Sequence, residues 1–157
     1  MGKAKDAGLA HAIEDSRVAY EKAEPRFFDY LQDDVRVYNL NSVEPMVGRE
    51  KFESSFRPMF EHKRNVKVID SDVRESGDQA VLAQTVEVSD EQNDVALCVR
   101  QTVVWEEEED QWRINHIHVA LVGQPIMLAE KRPASVEAVR VLNERIATVA
   151  ACVGVAQ

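Results

Sequence analysis

Up to about residue 61 the apolar residues recur every three or four positions, and from about residue 65 they alternate with polar ones. That change of period separates a helical part of the chain from a stranded part. Leu9, Ala12, Ile13, Ser16, Ala19, Tyr20 and Ala23 share one face at helical spacing and predict an amphipathic helix over 6–23. Pro25 cannot lie inside that helix but suits the first turn of a short second one, which runs to about Leu31 and carries Phe27 and Phe28. Asp33 and Asp34 close it, Val35 to Leu40 reads as a strand, and 41–47 reads as loop. Gly48 opens a third helix to about residue 61, with Phe52, Phe56, Met59 and Phe60 on one stripe and Pro58 kinking or shortening it.

Residues 65–75, 79–89, 94–106 and 111–122 are rich in Val, Ile, Thr and Trp and alternate, with short polar turns between them. That spacing describes an antiparallel meander of four long strands. Helices first and strands afterwards is the α+β pattern, with N-terminal helices packed on the concave face of a curved sheet. A final helix is predicted from about Ser135 to Val153, where Val139, Leu142, Ile146, Val149 and Val153 make a narrow apolar seam. The domain reading is therefore 6–123 for the main unit and 124–157 for a C-terminal extension with one helix.

Composition narrows the function. The chain has 157 residues, 45% of them hydrophobic and 30% charged, which suits one globular domain with its own core. A net charge of −9 makes nucleic acid and anionic membrane surfaces poor partners. No apolar run reaches the length of a membrane span, and the first residues lack the apolar stretch of a secretory leader. Cys98 and Cys152 stand far apart with no paired-cysteine motif, which points to reduced thiols and a cytoplasmic location. The five acids from Glu106 to Asp110 read as a solvated hairpin tip, the other reading being a cation or basic-partner patch.

Two segments carry a resemblance. One is Asp33-Asp34-Val35-Arg36-Val37-Tyr38 followed by Glu44-Pro45-Met46-Val47-Gly48-Arg49-Glu50-Lys51-Phe52. The other runs from Arg100-Gln101-Thr102-Val103-Val104-Trp105 through the acidic turn to Gln111-Trp112-Arg113-Ile114-Asn115-His116-Ile117-His118. With the order of elements, they resemble the nuclear transport factor 2-like superfamily of cone folds. That group includes ketosteroid isomerases, SnoaL-type polyketide cyclases and the association domain of calcium/calmodulin-dependent kinase II. Against the isomerases, the general base falls on Asn39, an amide that cannot accept and return a proton as a carboxylate does. The position of their oxyanion-holding Tyr falls on Asp15, the one acid–base candidate that remains. Steroid-isomerase chemistry is therefore not expected, and Asp15 is either a pocket acid or an acid on the flank of an amphipathic helix.

The resemblance implies a concave pocket built from Phe27 or Phe28, Phe56, Val99, Val103, Ile117, Val119 and Leu121, with Asn39 and Gln101 as its polar points. The same side chains read equally well as plain core, because a greasy pocket and a core share one sequence signature. Alternation then turns Arg100, Thr102, His116 and His118 to the convex face, where relatives pack on a partner subunit. Leu82, Val86, Val104 and Trp112 are expected to join that outer face. His116 and His118 make a His-x-His pair without a visible third ligand, so no metal and no cofactor are expected. Apolar residues at Ile117 and Val119 also argue against the carbonic anhydrase activity of some related proteins. The expected function is to hold a small apolar molecule, as a homodimer, with cofactor-free isomerase, cyclase or lyase chemistry within reach. The rival is a non-catalytic oligomerisation or interaction domain.

Overall fold

The computed structural model describes residues 2–40, 42–90, 95–123 and 126–127. The C-terminal helix expected over 135–153 lies outside the described residues, as does the rest of the 124–157 extension apart from 126–127. Helix α1 spans Gly2–Glu21 and buries Leu9, Ala12, Ser16, Ala19 and Tyr20, the stripe that helical spacing predicts. Pro25 starts a 3-10 turn, Pro25–Tyr30, which drops Phe27 and Phe28 into the core.

Strand β1, Leu31–Tyr38, begins four residues before the predicted start. Asp33 and Asp34 do not stop a helix; they are exposed positions in a strand whose Leu31, Gln32, Val35 and Val37 are buried. A two-residue strand β2, Met46–Val47, lies in the segment expected to be loop and pairs antiparallel with β1. Gly48 follows at φ +102, a conformation that favours glycine, and its N–H donates to the Val35 carbonyl at 2.8 Å. Helix α2, Arg49–Phe56, then gives way to a 3-10 turn over Arg57–Glu61, because Pro58 has no N–H to continue the α-helical ladder.

The meander is β3 (Asn65–Ser76), β4 (Gln79–Asp90), β5 (Val95–Glu108) and β6 (Gln111–Leu121), and a short β7 (Ile126–Met127) pairs with β5. The sheet order is β2-β1-β6-β5-β4-β3. β1 joins β6 in parallel, so the curved sheet is mixed and not wholly antiparallel. The hairpin tip between β5 and β6 holds Glu109 and Asp110 at φ 51 and 63, the positive pair that a tight two-residue turn requires.

Two bulges within the meander set the phase of its side chains. Between Val104–His116 and Trp105–Ile114 the ladder takes up Asn115 as an extra residue, whose amide donates to Glu106 at 2.8 Å. Trp112 and Ile114 therefore point inward before the bulge, and Ile117 and Val119 after it. A second bulge at Ile69 separates Val68–Val86 from Asp70–Thr85. The expectation that Leu82, Val86 and Trp112 lie on the outer face is overturned. Leu82 pairs with Val103 and Val86 with Val99, so both share the concave face, and all three are buried. Val104 does lie on the convex face, beside His116 and Val81.

The core fills the space between this concave face and the helical layer. Phe52 stacks on Phe56 with centroids 4.4 Å apart, and Phe28 meets Phe60 at 4.8 Å. The Arg64 guanidinium lies over the Tyr20 ring at 4.7 Å.

Candidate functional site

Alternation along β3 to β6 brings a row of side chains together across the concave face. Ser71 is paired with Gln84, Gln84 with Gln101, and Gln101 with Val119. The β1–β6 ladder ends with Tyr38 opposite His118, and Asn39 follows immediately beyond the end of β1.

Gln101 Nε2 donates to Gln84 Oε1 at 3.0 Å, and Gln84 Nε2 donates to Ser71 Oγ at 3.2 Å. Gln101 is 2% exposed, and its Oε1 is buried without a hydrogen-bond partner. A buried carbonyl left unpaired costs about 1–3 kcal/mol, so that atom is poised to accept a donor. Around it Val99, Val103 and Ile117 have no exposed surface, and Val119 and Phe56 are buried in the same apolar cluster. Leu121 pairs with Val99 on this face but is 43% exposed at the strand end. Asn39 is half-buried, and its Oδ1 accepts the next backbone N–H, that of Leu40, at 2.7 Å.

Asp15 lies elsewhere. Its carboxylate accepts the Tyr30 hydroxyl at 2.5 Å and pairs with Arg26. These two partners, the phenol first, hold Asp15 below the usual carboxylate range. Burial, and then the same hydrogen bond, push the Tyr30 hydroxyl up to about 12. A carboxylate held in that way is a weak proton acceptor; its visible work is to tie α1 to the following 3-10 turn. Tyr30 and Arg26 escaped the sequence reading because their meeting with Asp15 is tertiary, although Tyr30 stands 15 positions on in a turn that Pro25 predicts.

Among the described residues, clefts also open beyond the concave row. One, of about 460 Å³, lies between His62–Asn65 and Ser89–Asp90. Another, of about 400 Å³, lies between α1 at His11, Tyr30, and Trp112 near the hairpin tip. Neither is lined by the residues predicted for the pocket.

On the convex face Tyr38 sits against His116 and His118, with ring centroids 5.3 and 6.1 Å away. Burial, then His118 and Arg36, hold the His116 imidazole below its ordinary value. Val47 and Val81 on the same face are 45% and 41% exposed. Among the described residues no three acids, histidines or cysteines gather as a metal site, and no helix is long and apolar enough to cross a membrane.

N-terminal helices over a curved seven-strand sheet, with side chains converging on its concave face, define the nuclear transport factor 2-like cone fold. The sequence profile of the SnoaL-like domain matches residues 10–123, and the chain belongs to that family. An NTF2-like protein of unknown function from Pseudomonas putida KT2440 is similar in structure, with TM-score 0.68 and 17% identity over 85% of this chain and 99% of that one. A type 2 hexachlorocyclohexane dehydrochlorinase gives TM-score 0.64 at 12% identity over 85% and 96% of the two chains. The hub domain of the calcium/calmodulin-dependent kinase II of S. rosetta gives 0.60 at 13% over 74% and 95%. A search of curated protein sequences finds no match.

Proposed function

We propose that this protein holds a small, largely apolar molecule against the concave face, with Gln101 as the polar anchor and Asn39 as the second orienting group. The observation that carries this reading is the unpaired Gln101 Oε1, buried in an otherwise apolar wall. Phe56, Val99, Val103, Ile117, Val119 and Leu121 supply the apolar contacts. Both anchors are amides, which orient and polarise a carbonyl or hydroxyl but do not exchange protons near neutral pH. Any isomerase, cyclase or lyase step would thus rest on orientation, with Asp15 outside the row. The test is native mass spectrometry of the purified protein, followed by thermal shift against small ketones and phenols. Gln101→Leu should lose about tenfold or more in affinity for whichever molecule stabilises the parent. Equal affinity in the parent and Gln101→Leu rejects Gln101 as the anchor.

The partner we propose is a second copy of the chain seated on the convex face. Tyr38, His116 and His118 pack together there beside exposed Val47 and Val81, and such a patch suits a two-fold contact. Sedimentation at low micromolar concentration tests it: the parent should run as a dimer and Val81→Glu as a monomer. A parent that runs as a monomer rejects the pairing. A cytoplasmic location fits two cysteines so far apart in sequence.

A further inference from the structure

We propose that Ser71, Gln84 and Gln101 form a reversible relay that lets the buried end of Gln101 offer either an acceptor or a donor to a bound molecule, with the choice set at the exposed Ser71 end. This rests on the concave face being a small-molecule site. It narrows the ligand to an apolar molecule bearing a hydroxyl or a carbonyl.

The chain of bonds has two forms of equal number. In the form seen here, Gln101 donates to Gln84 and Gln84 donates to Ser71, leaving Gln101 Oε1 free to accept. If both amides turn over, the Ser71 hydroxyl donates to Gln84 Oε1 and Gln84 Nε2 donates to Gln101 Oε1. Gln101 Nε2 then becomes the unpaired end, ready to donate to a carbonyl. An amide has a donor and an acceptor end of nearly the same size, so turning it over leaves the packing unchanged. The two forms are balanced only because a hydroxyl both donates and accepts. Ser71 is exposed on the edge strand, whereas Gln84 and Gln101 are buried, so water can serve whichever side of the hydroxyl the relay does not use.

A substitution at the surface should therefore reverse selectivity two strands away. Ser71→Asp presents only acceptors and fixes Gln101 Oε1 inward; Ser71→Lys presents only donors and fixes Gln101 Nε2 inward. Ser71→Thr keeps both roles. The probes are phenol, which donates, and cyclohexanone, which only accepts, titrated while the Gln101 side-chain NH₂ resonances are followed by NMR. The parent and Ser71→Thr should bind both with similar affinity. Ser71→Asp should favour phenol, and Ser71→Lys cyclohexanone, each by about tenfold relative to the parent ratio. An unchanged ratio in both charged variants overturns the relay and leaves the small-molecule reading standing. If neither probe moves the Gln101 resonances in the parent, that reading falls and the relay's role in recognition falls with it.

Discussion

The two faces of β5 and β6 are made by neighbouring residues of the same strands, yet they handle polar groups in opposite ways. Gln101 on the concave face is buried and tied end to end with Gln84, while Thr102 and His118, a position away, are left partly or largely in water. Packing on the concave side tolerates a polar group only if a neighbour satisfies it, and the Gln101 row stops one bond short of that. The convex side imposes no such demand, so aromatic and imidazole rings can pack tilted or edge-on there while partly or largely exposed. Location on one face or the other, more than residue type, decides what each side chain can do.

The contrast breaks most sharply under a buried charge. Ile117→Asp should destabilise the protein by at least about 4 kcal/mol or prevent folding, whereas His118→Asp, measured in the monomeric Val81→Glu background, should cost under about 0.5 kcal/mol. Urea unfolding measures both, and equal losses would mean that the faces are not distinct. A subtler effect is expected in the row itself. Gln101→Leu leaves Gln84 Oε1 without its donor and should cost about 1–3 kcal/mol. Gln84→Leu with Gln101→Leu removes both partners and should regain most of that loss. A double variant as stable as the parent would say that the amides are kept for binding; one less stable than either single variant would make them structural.

The half-exposed groups should matter less. Asp15→Asn weakens the link to Tyr30 and Arg26 and should cost about 1 kcal/mol. Because the folded protein depresses the Asp15 proton affinity, its contribution is complete above about pH 4 and fades as the pH falls through the lower folded value. Acid unfolding curves of the parent and Asp15→Asn should therefore converge at low pH. The smallest effect belongs to His116. Its folded proton affinity is lowered, so the unfolded chain binds more protons just below pH 6.5, and stability should decline as the pH drops through that value. His116→Gln should flatten the melting temperature between pH 7.5 and 5.5, and an unchanged slope would assign the acid response to another group.

The type of the longer elements was legible in the sequence because their period matches their structure, whereas the start of β1 and the two-residue β2 carried no such period. The helical stripe of α1, the four long strands and the kink at Pro58 all follow from local spacing. Phase between strands was not legible. A period of two says which residues of one strand share a face, but the pairing decides which face that is, and the Asn115 bulge shifts β6 midway. That is why Leu82, Val86 and Trp112 were expected outside. Within the candidate site, Gln101 was readable as a lone amide among valines. Its bonds to Gln84 and Ser71 depend on register, and the bond of Asp15 to Tyr30 depends on tertiary packing.

One consequence of the bulge at Ile69 is chemical. Had the register of Val68 with Val86 run on unbroken, Ile69 would meet Thr85 and Asp70 would stand opposite Gln84. Ile69 is instead displaced, 55% exposed, and the strand resumes one residue later with Ser71 in that place. A single extra residue in an edge strand thus exchanges a carboxylate for a hydroxyl beside a buried amide. The slip keeps a permanent negative charge off the concave wall and puts there a group that can both give and take a hydrogen bond.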